Sequence, residues 1–413
     1  MVRDICSNKP LTMHIDLNSC FATVMQQADV HLRKKPLVIA AYTTENGCIL
    51  SPSIEAKQCG IKTGMTVRQA RLLNPSIIVR VSDTVMVRDV HEKFMRIFSD
   101  YSPVVIPKSI DEAILEFGDG ASMGNPDLIA IAKEIKSRMR TEIGEWIRCS
   151  IGIGTNRFLA KTAASFHKPD GLTVIDHANL KKVYAQLQLT DLNGINVGYA
   201  ARLNMHGIFT PLQFLDAPVA KLKNNVFQSI VGFYWYMRLR GHEVDAISHP
   251  QRSYGQDYAL QKPTDRYEIV APLFIKLCEK MGRRLRAAGQ AAHGVHVGCV
   301  YQDGTYWHVG KKGKTSLYTT IELYRRSMQL LRQQTRHLVI RKIMVSCYDL
   351  VPLQTAQPML FDLGDDKNRL ITKTMDAIND RFGEFTIVPA LMMGMEHIIL
   401  DRIAFGSIKE NKT

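Results

Sequence analysis

Short apolar runs and helically spaced apolar positions alternate along the first 175 residues. Residues 11–17 alternate loosely between apolar and polar side chains, and residues 37–42 form a short apolar run with β-branched members, so both predict strands. Residues 127–143 place Ile131, Ile135 and Met139 on one face of a predicted amphipathic helix. This mixture predicts an α/β or α+β fold. Further helices are predicted over 53–60, 67–73, 85–98 and 158–166, and further strands over 148–153 and, as a hairpin, over 103–117.

The pattern changes twice after residue 175. Short helices dominate residues 176–245, where strand signals fade. The region after Pro250 then predicts the order β-α-β-β-α-β, which is a small module of two helices on one sheet. A chain of 413 residues is also too long for one compact core, which stops growing near ~250–300 residues. The predicted elements lie at 254–260, 267–288, 295–301, 306–309, 316–333 and 338–348, followed by a helix at 366–382 and a short β-like segment.

Positive charge is concentrated in one part of the chain. The whole sequence has 53 Lys and Arg against 39 Asp and Glu, a net charge of +14. Residues 251–350 hold 17 basic and 7 acidic side chains, so they carry +10, whereas residues 351–413 hold 7 and 9 and carry −2. Such a surplus indicates a polyanionic partner, either nucleic acid or an anionic membrane surface, although a single cluster such as 311–314 is also typical of a solvated face.

The membrane is the weaker of these two partners. No run reaches the ~18 apolar residues of a spanning helix, and the first ten residues are too polar for a signal peptide. We therefore expect a cytoplasmic protein that does not bind membranes. The eight cysteines are scattered without a C-x-x-C pair, which favours ordinary reduced thiols over a zinc cluster.

Three carboxylates are candidates for chemistry. Asp16 ends the first predicted strand, and Asp111 and Glu112 lie in or beside the predicted hairpin. Taken alone, adjacent acids are typical of a solvated turn. Carboxylates placed inside a sheet, however, are costly unless they are paired or bind a metal. Three converging carboxylates suit Mg²⁺, and two such ions could clamp an in-line phosphoryl transfer.

A phosphate-transfer site also needs cations and backbone donors. Lys57 and Lys168 are the candidates for holding phosphate, although either could be an ordinary surface lysine. The run from Gly152 to Gly154 lacks a Walker signature. Around Gly194 and Ile195 the sequence predicts helix, hairpin and helix, whose backbone N–H groups could hold a DNA phosphate, or else a plain helical turn.

Together these segments resemble the Y-family translesion DNA polymerases of bacteria. HIDLNSCFATV (14–24) is similar to the family's first catalytic strand, SIDEA (109–113) to its second motif, and GIGTNRFLAKTAASFHKPDG (152–171) to its third. The resemblance covers roughly residues 11–350. It implies an α+β right-hand polymerase fold with a βαββαβ little finger. The implied divisions are palm (1–27 and 81–175), fingers (28–80), helical thumb (176–246), little finger (250–350) and a tail (351–413).

The resemblance also assigns roles to single residues. Asp16, Asp111, Glu112 and the backbone carbonyl of Leu17 would bind two Mg²⁺ ions, with Mn²⁺ as a possible substitute. Phe21 falls at the family's steric gate, where a ring under the sugar excludes a 2′-hydroxyl; as a bare residue it would be typical of a core. The remaining implied contacts are Ser51, Lys57 and Lys168 with the incoming deoxynucleotide, and Gly194, Ile195, Lys311, Lys312 and Lys314 with DNA.

The chain departs from the family pattern at several positions. Many relatives carry Tyr-Glu-Ala-Arg in the fingers, whereas this chain has Ile54 and Lys57 at the outer positions. Lys57 keeps the charge but loses the bidentate fork of arginine. Asn18 stands where a second acid is common, and Asn196 replaces a hairpin glycine. Nucleotide affinity and rate are the properties that these departures affect.

A short tail segment suggests one more partner. Gln357, Leu360 and Phe361 are similar to the Gln-x-x-Leu-Phe peptides that dock on the bacterial sliding clamp, although the segment could be an ordinary apolar part of a linker. The sequence therefore predicts a low-fidelity, template-directed DNA polymerase acting on primer-template DNA. One alternative is a non-catalytic, polymerase-shaped accessory protein recruited through the clamp, and the departures at Ile54 and Lys57 favour it. Another is a nucleotidyl cyclase, but this function explains neither the hairpin nor the basic module.

Overall fold

A computed structural model describes residues 4–118, 126–246, 250–334, 338–353, 365–395 and 398–399. These residues form two compact units, one comprising the described residues up to 246 and the other those from 250 onward. Each unit has its own sheet and its own buried apolar core.

The first unit is built around a five-stranded sheet with strand order β5-β6-β1-β7-β8. The central strand β1 pairs antiparallel with β6 on one side and with β7 on the other, and β7 pairs parallel with β8. Apolar side chains of β1, β6 and β7 pack with helices on one face of this sheet. The strands are β1 (Thr12–Leu17), β5 (Val104–Pro107), β6 (Glu112–Glu116), β7 (Cys149–Gly154) and β8 (Leu172–Ile175).

The register of the central strand separates its apolar and polar residues. Side chains alternate between the faces of a strand, so Met13, Ile15 and Leu17 enter the apolar core while His14 and Asp16 face the other way. On this second face helix α6 (Arg157–Phe166) lies close against β7. The approach is so close that a Cβ at Gly152 would stand 2.1 Å from the Ala160 carbonyl oxygen. The glycines of this strand therefore allow close packing of α6, which explains them without a phosphate-binding loop.

A smaller sheet and several helices complete the part of the unit before residue 167. The small sheet has the order β3-β2-β4, in which β2 pairs antiparallel with β3 and parallel with β4. One face of this sheet has a core of its own that includes Val38 and Ile49, whereas Leu37 and Ile39 join the core of the large sheet. The elements are α1 (Cys20–Ala28), β2 (Leu37–Ala40), β3 (Ile49–Pro52), α2 (Ile54–Gln58), α3 (Val67–Leu73), β4 (Ile78–Arg80), α4 (Thr84–Ser99) and α5 (Leu128–Arg138), the last extended by a π-turn (Met139–Ile143).

Short helices around an aromatic core form the rest of the first unit. Phe214, Phe227 and Trp235 pack in mutual contact, and Phe158 of α6 meets Trp235 edge to face. This cluster fixes the helical part to the large sheet through α6. The helices are α7 (Leu180–Tyr184), α8 (Val197–Met205), α9 (Pro211–Asp216), α10 (Val219–Lys221) and α11 (Val231–Leu239).

The second unit has the predicted β-α-β-β-α-β order. Its four antiparallel strands lie in the order β11-β10-β12-β9, and two helices cover one face of the sheet. The elements are β9 (Ser253–Thr264), α12 (Tyr267–Ala287), β10 (Gln290–Tyr301), β11 (Tyr306–Leu317), α13 (Thr320–Leu331) and β12 (Ile340–Pro352), followed by α14 (Asp365–Phe382).

The tail helix α14 packs against α12 through ion pairs. Arg286 of α12 is buried and binds Asp376 of α14 through two nitrogens, at 2.5 and 2.8 Å. Arg283 binds Asp380 at 2.6 Å, and the buried Lys276 donates to the Met395 carbonyl oxygen at 2.5 Å. Arg283 and Arg286 are therefore paired with carboxylates inside this unit, and Lys276 is held by a backbone carbonyl.

Most predicted elements are confirmed, and the differences have physical causes. Strands β3, β4 and β8 were missed because each is only three or four residues long and shows little alternation. The β-like segment predicted after residue 382 is wrong for residues 383–395, where the structure has only a 3₁₀ turn (Ala390–Met392). Among the described residues no helix is both long enough and apolar enough to span a bilayer.

Candidate active site

A cleft of about 480 Å³ in the first unit contains most of the predicted nucleotide-site residues. It lies where β1 ends, and its walls include α1, β3, α2 and the loop after α6. Seven residues predicted from the sequence line it, namely Asp16, Leu17, Phe21, Ser51, Lys57, Asp111 and Lys168. The eighth, Glu112, is absent from the lining.

Two of the predicted carboxylates face this cleft. Asp16 lies at the end of β1, where it is opposite Glu112 on β6 and Ser150 on β7. Asp111 precedes β6, and its backbone carbonyl accepts a hydrogen bond from the Leu17 N–H at 2.9 Å. Burial, together with the charges of Asp16 and Glu112, raises the pKa of Asp111, although a hydrogen bond from Ser109 opposes the shift. A buried group of like charges is the environment that a bound cation would stabilise.

Two basic side chains lie beside Glu112. Lys161 of α6 lies 2.7 Å from a carboxylate oxygen of Glu112, and the buried His14 lies 3.4 Å from the same oxygen. The His14 ring makes no well-aligned hydrogen bond there, so this contact is a close approach. Burial alone would raise the pKa of Glu112, but His14 and Lys161 together lower it to about 2. Glu112 is therefore ionised throughout the physiological pH range.

The residues present fit a divalent cation. Ligand atoms of His14, Asp16 and Glu112 lie within 4.8 Å of one another, a group that does not include Asp111. Asp16, Asp111 and Glu112 offer oxygen atoms only, which are the ligands that Mg²⁺ and Mn²⁺ prefer. The assignment of Asp16, Asp111 and Glu112 as the ligand set stays a prediction.

Two lysines place positive charge at the cleft. Lys168 Nζ lies 2.8 Å from a carboxylate oxygen of Asp16. Burial lowers the pKa of Lys57, and the nearby charge of Lys168 lowers it further, whereas Asp16 acts in the opposite direction. The two ammonium groups therefore stand close enough to repel one another, and an anion bound between them would relieve that repulsion.

The wall of the cleft is apolar beside the charged groups. Phe21 on α1 is buried, and Ile54 on α2 also lines the cleft. Ser51 on β3 is also buried and lines the cleft. The structure thus brings the predicted gate residue and the predicted hydroxyl contact into the same cleft as the carboxylates.

The sequence analysis missed two residues at this site, His14 and Lys161. Both lay inside the motifs that were quoted, but neither was given a role. The signal for Lys161 was its place on α6, which follows directly after β7, and the signal for His14 was its spacing of two from Asp16 on one strand. Only the sheet register shows that both meet Glu112.

Some hydrogen-bonding groups of the predicted DNA-binding hairpin already have partners within the protein. Gly194 has φ of +96°, a left-handed conformation that favours glycine. The Ile195 N–H donates to the Leu192 carbonyl oxygen at 2.9 Å, so this group closes the turn. The Asn196 side chain caps α8, whose first N–H groups have no acceptor within the helix.

The predicted lysines of the second unit lie on the edge strand β11. Lys311, Lys312 and Lys314 are all exposed, and among the described strands β11 pairs only with β10. Lys312 lies 2.7 Å from the carboxylate of Asp349, an exposed ion pair of small energy. The clamp-docking prediction at Gln357, Leu360 and Phe361 lies outside the described residues.

Comparison with known proteins finds one family over most of the chain. Residues 15–165 match the impB/mucB/samB family, and residues 251–360 match that family's C-terminal domain. The protein named DNA polymerase IV of Pelotomaculum thermopropionicum is 32% identical over 94% of this chain and 96% of its own length. The DNA polymerase IV of Moorella thermoacetica is also 32% identical, over 92% and 95%.

A solved structure shares the fold. A Y-family DNA polymerase chimera of Dbh and Dpo4 matches 82% of this chain and 99% of its own, with a TM-score of 0.71 and 23% sequence identity. This fold, together with the relatives named above, identifies a DNA-directed DNA polymerase with a right-hand fold. The chain belongs to the impB/mucB/samB family, which are Y-family translesion DNA polymerases.

Proposed function

We propose that this chain transfers deoxynucleotides from their triphosphates to a primer 3′ end, copying a DNA template with low fidelity past damaged bases. The observation that supports this proposal is that Asp16 and Asp111 share one cleft with Lys57 and Lys168. Such a site combines cation ligands with groups that attract phosphate, which is what nucleotidyl transfer requires. The relatives named DNA polymerase IV support the same reaction.

We infer that Asp16, Asp111, Glu112 and the Leu17 carbonyl hold two divalent ions, Mg²⁺ or alternatively Mn²⁺. When bound, the two ions would stabilise both the attacking and the leaving oxygen of an in-line displacement. The protein's own groups act around them. Lys57 and Lys168 attract the triphosphate, and Lys161 and His14 keep Glu112 ionised and in place.

Primer extension with Mg²⁺ tests the proposed function. The purified protein should extend a primer by the templated nucleotide on an intact template and also past an abasic site. No extension on either template, combined with normal DNA binding, would instead identify the non-catalytic accessory protein of the sequence analysis. Extension on the intact template alone would remove lesion bypass from the proposal.

We propose that Phe21 is the steric gate of this cleft. Phe21→Ala should increase the incorporation of ribonucleotides relative to deoxynucleotides by about 100-fold. The variant pocket would lack the bulky ring that excludes a 2′-hydroxyl, and rejection of one hydroxyl by a pocket is worth roughly that factor. The measurement is the ratio of kcat/KM for the two sugars with the same base. Phe21→Leu should give an intermediate ratio, and an unchanged ratio in both variants would place the gate elsewhere.

We propose that the second unit is the DNA-gripping little finger, with the lysines of β11 among its contacts. Replacing Lys311, Lys312 and Lys314 together by alanine should make the slope of log affinity against log salt shallower by up to about 3, since each phosphate contact contributes ~0.9. Lys133→Ala on α5 provides a control at an exposed lysine. A wild-type affinity that does not change with salt would contradict the proposal.

We also propose the polymerase subdomains of the first unit and the docking of the tail on the sliding clamp. The first unit would comprise palm, fingers and thumb, with the Gly194–Ile195 hairpin against the DNA backbone. Residues Gln357, Leu360 and Phe361 would dock on the sliding clamp at the nucleoid in the cytoplasm. Titration of a peptide spanning residues 351–365 into purified clamp tests this docking, and an equal response from a peptide with alanine at 360 and 361 would refute it.

A further inference from the structure

Asn18 connects the strand that carries Asp16 to the loop that carries Lys168. Its side chain is buried just after β1. The Asn18 carbonyl oxygen Oδ1 accepts a hydrogen bond from the Asp170 N–H at 2.7 Å, and its Nδ2 donates to Ser150 Oγ at 3.0 Å. Both ends of one buried amide are therefore occupied by groups on two other segments.

The loop after α6 is held at several points close to Lys168. The Gly171 N–H donates to Ser150 Oγ at 3.2 Å, so Ser150 joins Asn18 to the same loop. Lys136 lies 3.0 Å from the Asp170 carboxylate, and Arg140 also pairs with it. These contacts hold the backbone on the C-terminal side of Lys168, so that its Nζ stands 2.8 Å from Asp16.

A partly buried N–H that loses its acceptor is unfavourable, so the Asn18 contact adds a specific hydrogen bond to the other anchors of this loop. Without the Asn18 oxygen, the Asp170 N–H would have to turn toward solvent, and Lys168 lies only two residues away. An apolar side chain of similar size at position 18 would fill the space but could not accept this hydrogen bond.

We propose that Asn18 is a positioning residue that holds the Lys168 loop so that the ammonium group meets the incoming triphosphate. This inference rests on the proposed function, specifically on the role of Lys168 as a triphosphate contact. Asn18 acts through Lys168 and makes no bond in the reaction itself.

The same geometry explains why asparagine serves where an acid is common. Aspartate at position 18 could still accept from the Asp170 N–H, and the Ser150 hydroxyl, which also approaches Asn18 Oδ1 at 3.3 Å, could donate to it. Asn18→Asp should therefore keep the loop in place, whereas Asn18→Leu should release it. The pair of variants separates the hydrogen bond from the volume of the side chain.

The test is steady-state single-nucleotide insertion by the full chain with Mg²⁺. Lys168→Ala should raise KM for the deoxynucleotide by about tenfold or more, as expected for the loss of one charged contact. Asn18→Leu should raise KM by about three- to tenfold with a smaller change in kcat, and Asn18→Asp should stay within about threefold of the wild type.

A double variant distinguishes positioning from direct contact, because Asn18 also lines the cleft. If Asn18 acts through Lys168, the double variant Asn18→Leu with Lys168→Ala should have the KM of Lys168→Ala alone. If the two effects multiply, Asn18 meets the substrate itself and the inference is wrong.

Two controls keep the result interpretable. Asn179 also uses both ends of its amide, donating to the Val174 carbonyl oxygen at 2.8 Å and accepting from the Asp176 N–H at 3.0 Å, but it does not line the cleft. Asn179→Leu should lower the thermal midpoint without raising KM. If Asn18→Leu does not fold, Ser150→Ala removes the second anchor of the loop and should raise KM in the same direction.

The failures are distinguishable. An unchanged KM in Lys168→Ala would overturn the triphosphate role of Lys168 and with it this inference. A raised KM in Lys168→Ala together with an unchanged KM in folded Asn18→Leu would overturn the inference alone and leave the proposed function intact. A KM in Asn18→Asp as high as that in Asn18→Leu would also contradict it.

Discussion

Replacement of Asp111 should have the largest effect on activity. We expect Asp111→Asn to lower kcat/KM for nucleotide insertion by about a thousandfold or more, because a metal-held charge contributes several kcal/mol to the transition state and each ~1.4 kcal/mol is tenfold. Asparagine keeps the shape and can still accept the hydrogen bond from Ser109, but it removes the charge. Burial and the charges of Asp16 and Glu112 raise the pKa of Asp111. The cationic side chains near Asp111 therefore do not fully offset the negative charge around it.

The controls for this variant separate chemistry from binding. Primer-template affinity, measured by fluorescence anisotropy without nucleotide, should match that of the wild type. Asp89→Asn removes an exposed carboxylate that pairs with Lys93, and it should leave insertion unchanged. Insertion at a normal rate by Asp111→Asn would sink the metal assignment, whereas Asp111→Ala tests whether any residual activity depends on the shape of the side chain.

Replacement of Arg286 should have the largest effect on stability. We expect Arg286→Ala to destabilise the second unit by about 3–5 kcal/mol, because it leaves the buried Glu279 and the half-buried Asp376 without their shared guanidinium. The Arg286 side chain is 3% exposed and holds Asp376 with two hydrogen bonds, while Glu279 lies 3.7 Å away. The change removes the main ionic attachment of α14 to α12.

Hydrogen exchange of backbone amides measures this effect unit by unit. Amides of α12 and α14 should lose protection in Arg286→Ala, while those of β1 and β7 in the first unit keep theirs. Arg266→Ala is the control, because its pair with Glu268 is 3.8 Å long and exposed, and it should change the free energy of unfolding by less than about 0.5 kcal/mol. Equal protection of α14 in Arg286→Ala and the wild type would show that this ion pair does not hold the helix.

The catalytic motifs could be read from the sequence because they are local. Asp16 follows alternating strand residues, and Lys168 lies in the third motif, just after the end of α6. The second unit was also predictable, since its strands and helices are long enough for clear periodicity. Short strands such as Ile78–Arg80 were not, because three residues carry no usable period.

Periodicity, motifs and charge counts were enough to predict the class of fold, the carboxylates and lysines of the cleft, and the concentration of positive charge after residue 250. Which of these groups meet depends on tertiary packing. The antiparallel register sets Asp16 opposite Glu112, and the bare glycines of β7 let α6 bring Lys161 to the same carboxylate. Arg286 of α12 pairs with Asp376 of the tail, about 90 residues later in the sequence, and no local pattern encodes such a contact. Periodicity reports which face of an element is apolar, whereas the partner of a charged side chain depends on the packing of elements that are distant in sequence.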